Sequence, residues 1–529
     1  MSINPQIQWL VGVFKKPAKS FSDPEAEKIK LSQLASKLGF VYEKIRNVVD
    51  YNEEHLITRN SLKRLLNRQI ILVQEKRSQK IAKTLVHEFI RAGYLPNNNL
   101  PETIIDRLAM VINKYLEIVS YIQTNHLPKA DKLTNWAIDL AACEINTWLF
   151  ETDQDTAMAN FMYSHLVDNL TLVKTDIDDK EKNLQIYIAT LKTLERSDAV
   201  ALNYHLLKLY LPEWNNLTKD NIRPFCKNIT IIKNKIEKHL KHPLGFQLTR
   251  TIRPQSVFFS VLRQLIEKNK GEIDQFINDQ DKLEEKIEDI AIYNYQITRS
   301  KLIGTILRVI IYIFFTKTIL AFLIELPFDW FILNHINWKV LAINVIFHPV
   351  LMFFIAMTIR VPGIKNTQII VGEIKKIVYG EERKIIFKAK KTMHRNSFSY
   401  FAFNFVYLIM FALSFGLIIF GLNLLNFNIL SGVLFVFFLT VVSFFGFRLR
   451  TLANQYSVIP RKDNLINFIF DFFSLPIIRV GRFLSTNFSK INILLFFMDV
   501  IVETPFKMLV EFFDKTLSFI HDKRDEIVE

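Results

Sequence analysis

Apolar positions in this sequence follow two rhythms. Over residues 24–300 they recur every three or four positions, as in Ile29, Leu34, Leu38 and Val41, and the same period runs through 53–92, 104–122, 136–150, 184–194, 200–211 and 222–240. That spacing gathers apolar side chains on one face of a helix. Between 302 and 447 the apolar residues fuse into four long runs, 303–323, 340–359, 400–420 and 429–447. A helix needs ~20 predominantly apolar residues to cross ~30 Å of hydrocarbon, so these runs predict four membrane spans. Turn-forming residues at 93–101, 126–128, 212–216 and 243–245 separate the earlier helices. No pair of alternating runs is joined by Asn-Gly or Asp-Gly, and no sheet is expected.

The fold class that follows is all-α: a multi-pass helical membrane protein with a large N-terminal cytoplasmic helical domain and a C-terminal interfacial amphipathic tail. Residues 1–270 form the helical domain, as one bundle or two. Residues 271–301 form an acidic juxtamembrane stalk, 302–447 the four-span domain with a basic helical loop at 360–398, and 448–529 the tail. The third and fourth spans carry no charge, and the second has only His348 beside Pro349. The first contains Arg308 and Lys317, each costing ~2.5–3.5 kcal/mol at a helix centre. Both lie toward span ends, where long side chains reach the interface. Asn404 in the third span completes the set of polar residues expected at membrane depth.

Charge fixes the expected orientation. The formal +15 divides into +5 over 1–300, +12 over 301–461 and −2 over 462–529. The segment 360–395 holds ten Lys and Arg, whereas 421–428 is uncharged and 326–339 carries the belt aromatics Trp330 and Trp338. By the positive-inside rule both termini face the cytoplasm and two short hairpins face outward. The chain is then a protein of the cytoplasmic membrane whose basic face meets anionic lipid headgroups. Two cysteines, Cys143 and Cys226, give neither a disulfide framework nor a metal knuckle, which suits a reducing compartment. The patch Ile7, Leu10, Val11 and Phe14 shares a helical face and reads either as an interfacial anchor or as a helix packed on its own domain.

In the stalk, Ile273, Phe276, Gln280, Leu283, Ile287, Ile290, Asn294 and Ile297 alternate steps of three and four, a heptad seam of the coiled-coil type running into the first span. Acidic residues flank it, among them Asp281, Glu284, Glu285, Glu288 and Asp289. The basic loop carries Lys375, Lys376, Arg383, Lys384, Lys388, Lys390 and Lys391 beside an apolar stripe of Ile370, Ile374, Ile377 and Val378, continued by Ile385 and Ile386. Two amphipathic helices of opposite charge are expected to pack side by side, the apolar seams supplying stability and the charges register. The competing arrangement is a stalk that dimerises with a second copy while the lysines lie on lipid. In the tail, 464–484 and 504–520 are apolar but interrupted by charges, the pattern of helices lying in the interface.

Candidate chemistry is sparse. His87-Glu88 begins a zinc-protease pattern, but Arg91 occupies the second histidine's place. The acidic run 176–181 lacks a calcium loop's spacing, and Asp178 with Glu181 fits a capping box. His239 and His242 precede Pro243 at a helix end, which suits capping better than metal binding. Asp139 and Glu144, five apart on an apolar helix, point in different directions and require partners elsewhere. Arg59, Lys63, Arg64 and Arg68 form a basic strip that reads as a solvated face, so no nucleic acid is expected. No phosphate-binding glycine loop, nucleophile elbow or kinase set occurs, and no cofactor or enzymatic activity is indicated.

The expected function is an integral membrane scaffold or anchoring module presenting its helical domain to a protein partner or a second copy. The alternatives are a small oligomeric transporter or channel, motivated by the polar residues at membrane depth, and a membrane-bound lipid-handling enzyme. Against transport stands the narrowness of four spans and the lack of an acidic relay. The topology makes a direct prediction: in intact cells an impermeant thiol reagent labels a cysteine placed at Asn423 and spares one placed at Lys376. The reverse pattern inverts the orientation.

Overall fold

The computed structural model describes residues 3–17, 27–31, 36–37, 39–41, 43–44, 46, 56–173, 177–381, 385–388, 397–459, 465–490 and a few positions between 512 and 520. It is almost entirely helical, and four of its helices are long and apolar enough to cross a membrane. The chain divides into two compact units. One comprises 12–167, 177–249 and 492–529; the other comprises 1–11, 168–176 and 250–491.

The first unit holds α2 (Ile57–Asn67), α3 (Ser78–Arg91), α4 (Thr103–Thr124), α5 (Ala130–Phe150), most of α6 (Asp153–Asn169), α7 (Asp179–Leu194), α8 (Ala199–Tyr210) and α9 (Arg223–Leu240). Helix α1 (Pro5–Lys15) precedes them. Helix α5 is the axis, contacting α2, α4 and α8, and its inward residues Ala137, Leu140, Ala141 and Ile145 are buried. The periodic run 53–92 is not one helix. A π-helical turn at Arg68–Leu72 ends α2, and Gln74 takes a positive φ of 53° before α3 begins. Asp178 stands at the N-cap of α7 without a side-chain cap bond, so the capping box does not form. Glu181 accepts instead from Gln185 and lies 2.8 Å from His239 Nδ1. The patch on α1 is covered by protein: Ile7, Leu10, Val11 and Phe14 are all buried.

After α10 (Pro243–Lys268), the second unit is built on α11 (Gln280–Leu320), a single helix of 41 residues that rises ~60 Å. It does not begin at 272. A separate turn at Ile273–Phe276 precedes it, and Asp279 caps its first turn by accepting from the Asp281 and Lys282 N–H groups. After a π-helical turn at Ala321–Glu325 the chain continues as α12 (Leu326–Phe331), so the first apolar helix runs eight residues past its expected end at 323. Then follow α13 (Trp338–Met357), α14 (Ile364–Tyr379), α15 (Ser397–Leu424), α16 (Ile429–Ala453) and α17 (Leu465–Lys490). Helices α11, α13 and α16 pack on one another around Leu302, Ile313, Met352, Val442 and Leu449. A side chain at Gly446 would meet Ile355 Cγ2 at 2.5 Å, so glycine lets α16 approach α13.

The acidic helix and the basic helix lie side by side within one chain. Packing of α11 on α14 buries Leu283, Ile287, Ile290 and Ala291 on one and Ile370, Val371, Ile374, Ile377 and Val378 on the other. Lys375 Nζ reaches Glu284 Oε2 at 2.9 Å, and Tyr379 donates to the Ile277 carbonyl at 3.1 Å. Lys376 pairs within its own helix, with Glu373 at 3.2 Å. Asp281, Glu285 and Asp289 remain exposed and Glu288 half-exposed. The basic loop is not helical throughout. Gly380, at φ 74°, ends α14, and Ile385–Lys388 forms a strand β2 that pairs in parallel with β1 (Leu170–Val173), a two-stranded ladder where no sheet was expected. Arg383, Lys384, Lys390 and Lys391 lie outside the described residues.

Helix α17 lies along α15 and α16, and a Cβ on Gly481 would come within 2.0 Å of the Thr440 carbonyl, midway along α16. Arg479, though exposed, stacks over the Tyr407 ring at 5.0 Å. The apolar segment expected at 504–520 lies outside the described residues except for isolated positions. Gly481→Leu has no space to occupy and is expected to cost about 1–3 kcal/mol by overpacking, seen as a lowered melting temperature in detergent. Phe483→Leu, on the exposed side of the same helix, is expected to leave it unchanged.

Candidate functional site

Two residues singled out by sequence, Lys317 and His348, meet in a fully buried polar cluster between α11, α13 and α16. The other two do not join it. Asn404 is exposed on α15, and Arg308 turns back along α11 to the Gly304 carbonyl at 3.0 Å. Lys317 does not extend toward a helix end as expected. Its ammonium donates to Asn344 Oδ1 at 2.6 Å, lies 3.8 Å from Glu325 Oε1 and sits over the Phe438 ring at 4.6 Å.

Glu325 reaches this position because of a helix defect. Eight residues along a regular α-helix rotate a side chain roughly 80° away from its starting face. Pro327 offers no N–H to the Leu323 carbonyl and its ring crowds that carbonyl. The helix widens just before it, Leu326 N–H bonding Ala321 C=O in the π pattern. A π turn absorbs one extra residue, which returns Glu325 to within roughly 20° of Lys317.

Asn344 joins the parts. Its amide nitrogen lies 2.7 Å from both Glu325 oxygens and 3.4 Å from the Ser431 carbonyl, while Ser431 Oγ donates to Glu325 Oε2 at 3.1 Å. One turn along α13, His348 Nδ1 faces the Asn344 carbonyl at 3.2 Å and Nε2 faces the Phe435 carbonyl at 3.0 Å. The rings of Phe435 and Phe438 close around the imidazole. Toward the hairpins, Asn428 donates to Asp329 Oδ1 at 2.7 Å and accepts from Ser431 N–H, which ties the two hairpins together. In the opposite direction Ile313, Met352 and Val442 form an apolar layer. Beyond that layer polar contacts resume. Asn366 donates to Tyr295 Oη and to the Tyr456 carbonyl, both at 2.8 Å, and Gln455 donates to Thr298.

Glu325, Asp329, Asn344 and Ser431 are not among the residues expected from the sequence, because the first apolar run ends at 323. In the structure Glu325 and Asp329 are buried, 0% and 2% exposed. One signal was legible, since Asn344 and His348 stand four apart on an otherwise apolar helix and therefore share a face.

A second buried polar centre lies in the other unit. Lys114 donates to Glu144 Oε1 at 2.8 Å and to the Trp214 carbonyl at 3.0 Å, while Tyr115 Oη and Trp214 Nε1 donate to Glu144 Oε2. Burial holds the Lys114 ammonium below its ordinary pKa against the pull of Glu144. Lys114 and Glu144 also line a groove of about 1010 Å³, together with Trp148, Tyr187, Tyr204 and His205. Nearby, the basic strip is consumed by internal ion pairs. Arg59 Nη2 reaches Asp198 at 2.7 Å, Lys63 reaches Asp139 at 2.6 Å, Arg64 reaches Glu43 at 2.9 Å, and Arg68 pairs with Glu88. Burial pushes the Cys143 thiol up to about 12 and that of Cys226 up to about 11, so neither is an activated nucleophile. No group of three metal-ligating side chains occurs among the described residues. No protein family, curated protein or solved structure matches the chain.

Removing Glu144 alone strands the Lys114 charge, and Glu144→Leu is expected to destabilise by about 3–5 kcal/mol. Lys114→Met combined with Glu144→Leu is expected to recover most of that loss in urea unfolding of the full chain in detergent. Equal losses in the single and double variants would show that no charge is stranded.

Proposed function

We propose that the chain is a multi-pass protein of the cytoplasmic membrane, with both termini inside and the hairpins outside, that works as a small oligomeric transporter centred on Lys317, Glu325 and Asn344. The observation that carries this reading is the fully buried ion pair among helices apolar enough to span a bilayer. Taking each ion out of water costs several kcal/mol, and apolar side chains would join three helices in lipid at no such cost. Ionisable groups retained in spanning helices are therefore read as a binding or conduction site. Of the two objections to transport, the buried Glu325 supplies the acid that was missing. The exposed apolar face of α15, including Phe401, Phe405, Leu408 and Leu417, offers a surface for lipid or a second copy, which would widen the pathway.

A scaffold function is the second reading, favoured by the groove above Lys114 and Glu144. In that case the spans anchor the helical unit for a protein partner, and anionic headgroups hold the basic face. One experiment separates the two. Protein reconstituted in liposomes under ion gradients is expected to give a voltage-dye signal that drops at least tenfold in the paired variant Lys317→Gln/Glu325→Gln, which removes both charges and strands neither. A wild-type signal equal to that of empty liposomes refutes transport, and a partner retained through mild detergent extraction then supports the scaffold.

A further inference from the structure

We propose that the species bound and passed by the Lys317–Glu325 centre is the proton, with His348 as a second station; this rests on the transport reading and names its substrate. A metal cation requires a cage of oxygen ligands. Here the Lys317 ammonium occupies the position such an ion would take, 2.6 Å from Asn344 Oδ1 and facing the Glu325 carboxylate. An anion would have to displace that carboxylate, whose oxygens already accept from Asn344 and Ser431. A proton needs no cavity. Moving it from Lys317 Nζ to Glu325 Oε1 breaks one N–H bond and makes one O–H bond, turning a charged pair into an amine and an acid with no change in net charge. A second proton arriving at the amine restores the ammonium and leaves the centre one positive charge richer. That added charge is the cargo.

His348 is suited to receive it. A neutral imidazole donates from one nitrogen only, whereas an imidazolium donates from both. Both ring nitrogens of His348 face backbone carbonyls, those of Asn344 and Phe435, so either state keeps a hydrogen bond without moving a neighbour. Asn344 links the stations, its side chain touching Lys317 and Glu325 and its carbonyl facing His348. The charged and titratable groups around the centre are Lys317 from α11, Glu325 from the π turn, Asp329 from α12 and His348 from α13. Helix α16 faces them with Ser431, Phe435 and Phe438. Asp329, bonded to Asn428 beside the hairpins, marks the entrance, and the layer of Ile313, Met352 and Val442 closes the far side. Passage therefore requires that layer to part.

The test uses the full chain in liposomes holding a trapped pH dye, with an inward proton gradient and a potassium-selective ionophore to compensate charge. Wild type is expected to acidify the lumen at least tenfold faster than Glu325→Gln or the paired variant Lys317→Gln/Glu325→Gln. His348→Gln is expected to slow it severalfold. In parallel, the infrared difference spectrum between acidic and alkaline buffer is expected to show a protonated-carboxyl band that shifts in Glu325→Asp and disappears in Glu325→Gln, a readout independent of flux. A voltage signal under sodium, potassium or chloride gradients without proton uptake overturns the proton assignment and leaves transport standing. Absence of every signal overturns both. Proton uptake unchanged in a folded Glu325→Gln protein, with the carboxyl band retained, shows that the pair is a static clamp.

Discussion

An ion pair removed from water, Lys317 with Glu325, sets the terms on which the three central helices pack. Neither charge can be left alone among apolar side chains, because an unpaired buried ion costs several kcal/mol. The neighbouring side chains must therefore deliver their donors and acceptors together. Asn344 fixes the register of α13 against α11, Ser431 fixes that of α16 against both, and the π turn ahead of Pro327 rotates Glu325 into place. Gly446 then permits α16 to close on Ile355. Apolar packing alone would tolerate sliding by a turn. The polar cluster does not.

Along these helices polarity is layered. The hairpin end is joined by Asp329 and Asn428, the cluster follows, an apolar layer interrupts, and a second polar set built on Asn366, Tyr295 and Thr298 ties the other end. Helix α14 extends that second set by packing its apolar stripe on the acidic part of α11. Here the apolar seam carries the stability, since the Glu284–Lys375 pair is partly exposed and worth only ~0–1 kcal/mol. Its role is register.

The helical unit uses charge differently. Basic residues that face outward on a helical wheel are matched by acids from elsewhere in the unit, and the Arg59 guanidinium shows why this matters. Burial alone would raise the Asp198 carboxyl, but the bonds from Arg59 and the Ala201 N–H outweigh it and hold the carboxyl below its usual range. Asp198 thereby caps α8 and anchors α2 with one side chain. Around Glu144, three donors on two oxygens join α4, α5 and the turn carrying Trp214, and Lys114 and Glu144 line the groove.

Periodicity by itself determined the helical class, the four apolar helices and the seams of the acidic and basic helices, because burying one face demands a repeat that any single helix must display. Lys317 and His348 were legible because charge and imidazole in an apolar run are conspicuous on one dimension. The pairing of Lys317 with Glu325 was not. It depends on a π turn that shifts phase by one residue, and regular 3.6 spacing places the two on different faces. The same limit hid the partners of Arg59, Lys63 and Asp139, which lie dozens of residues away, and the contact of Gly481 with Thr440, where charges near 479 and 482 suggested an interfacial helix. Strand β2 was missed because four residues of apolar sequence carry no period of their own, and only β1, more than two hundred residues earlier, supplies its hydrogen bonds. Local pattern fixes what each segment must bury. Which buried polar group answers another is decided only when the segments meet.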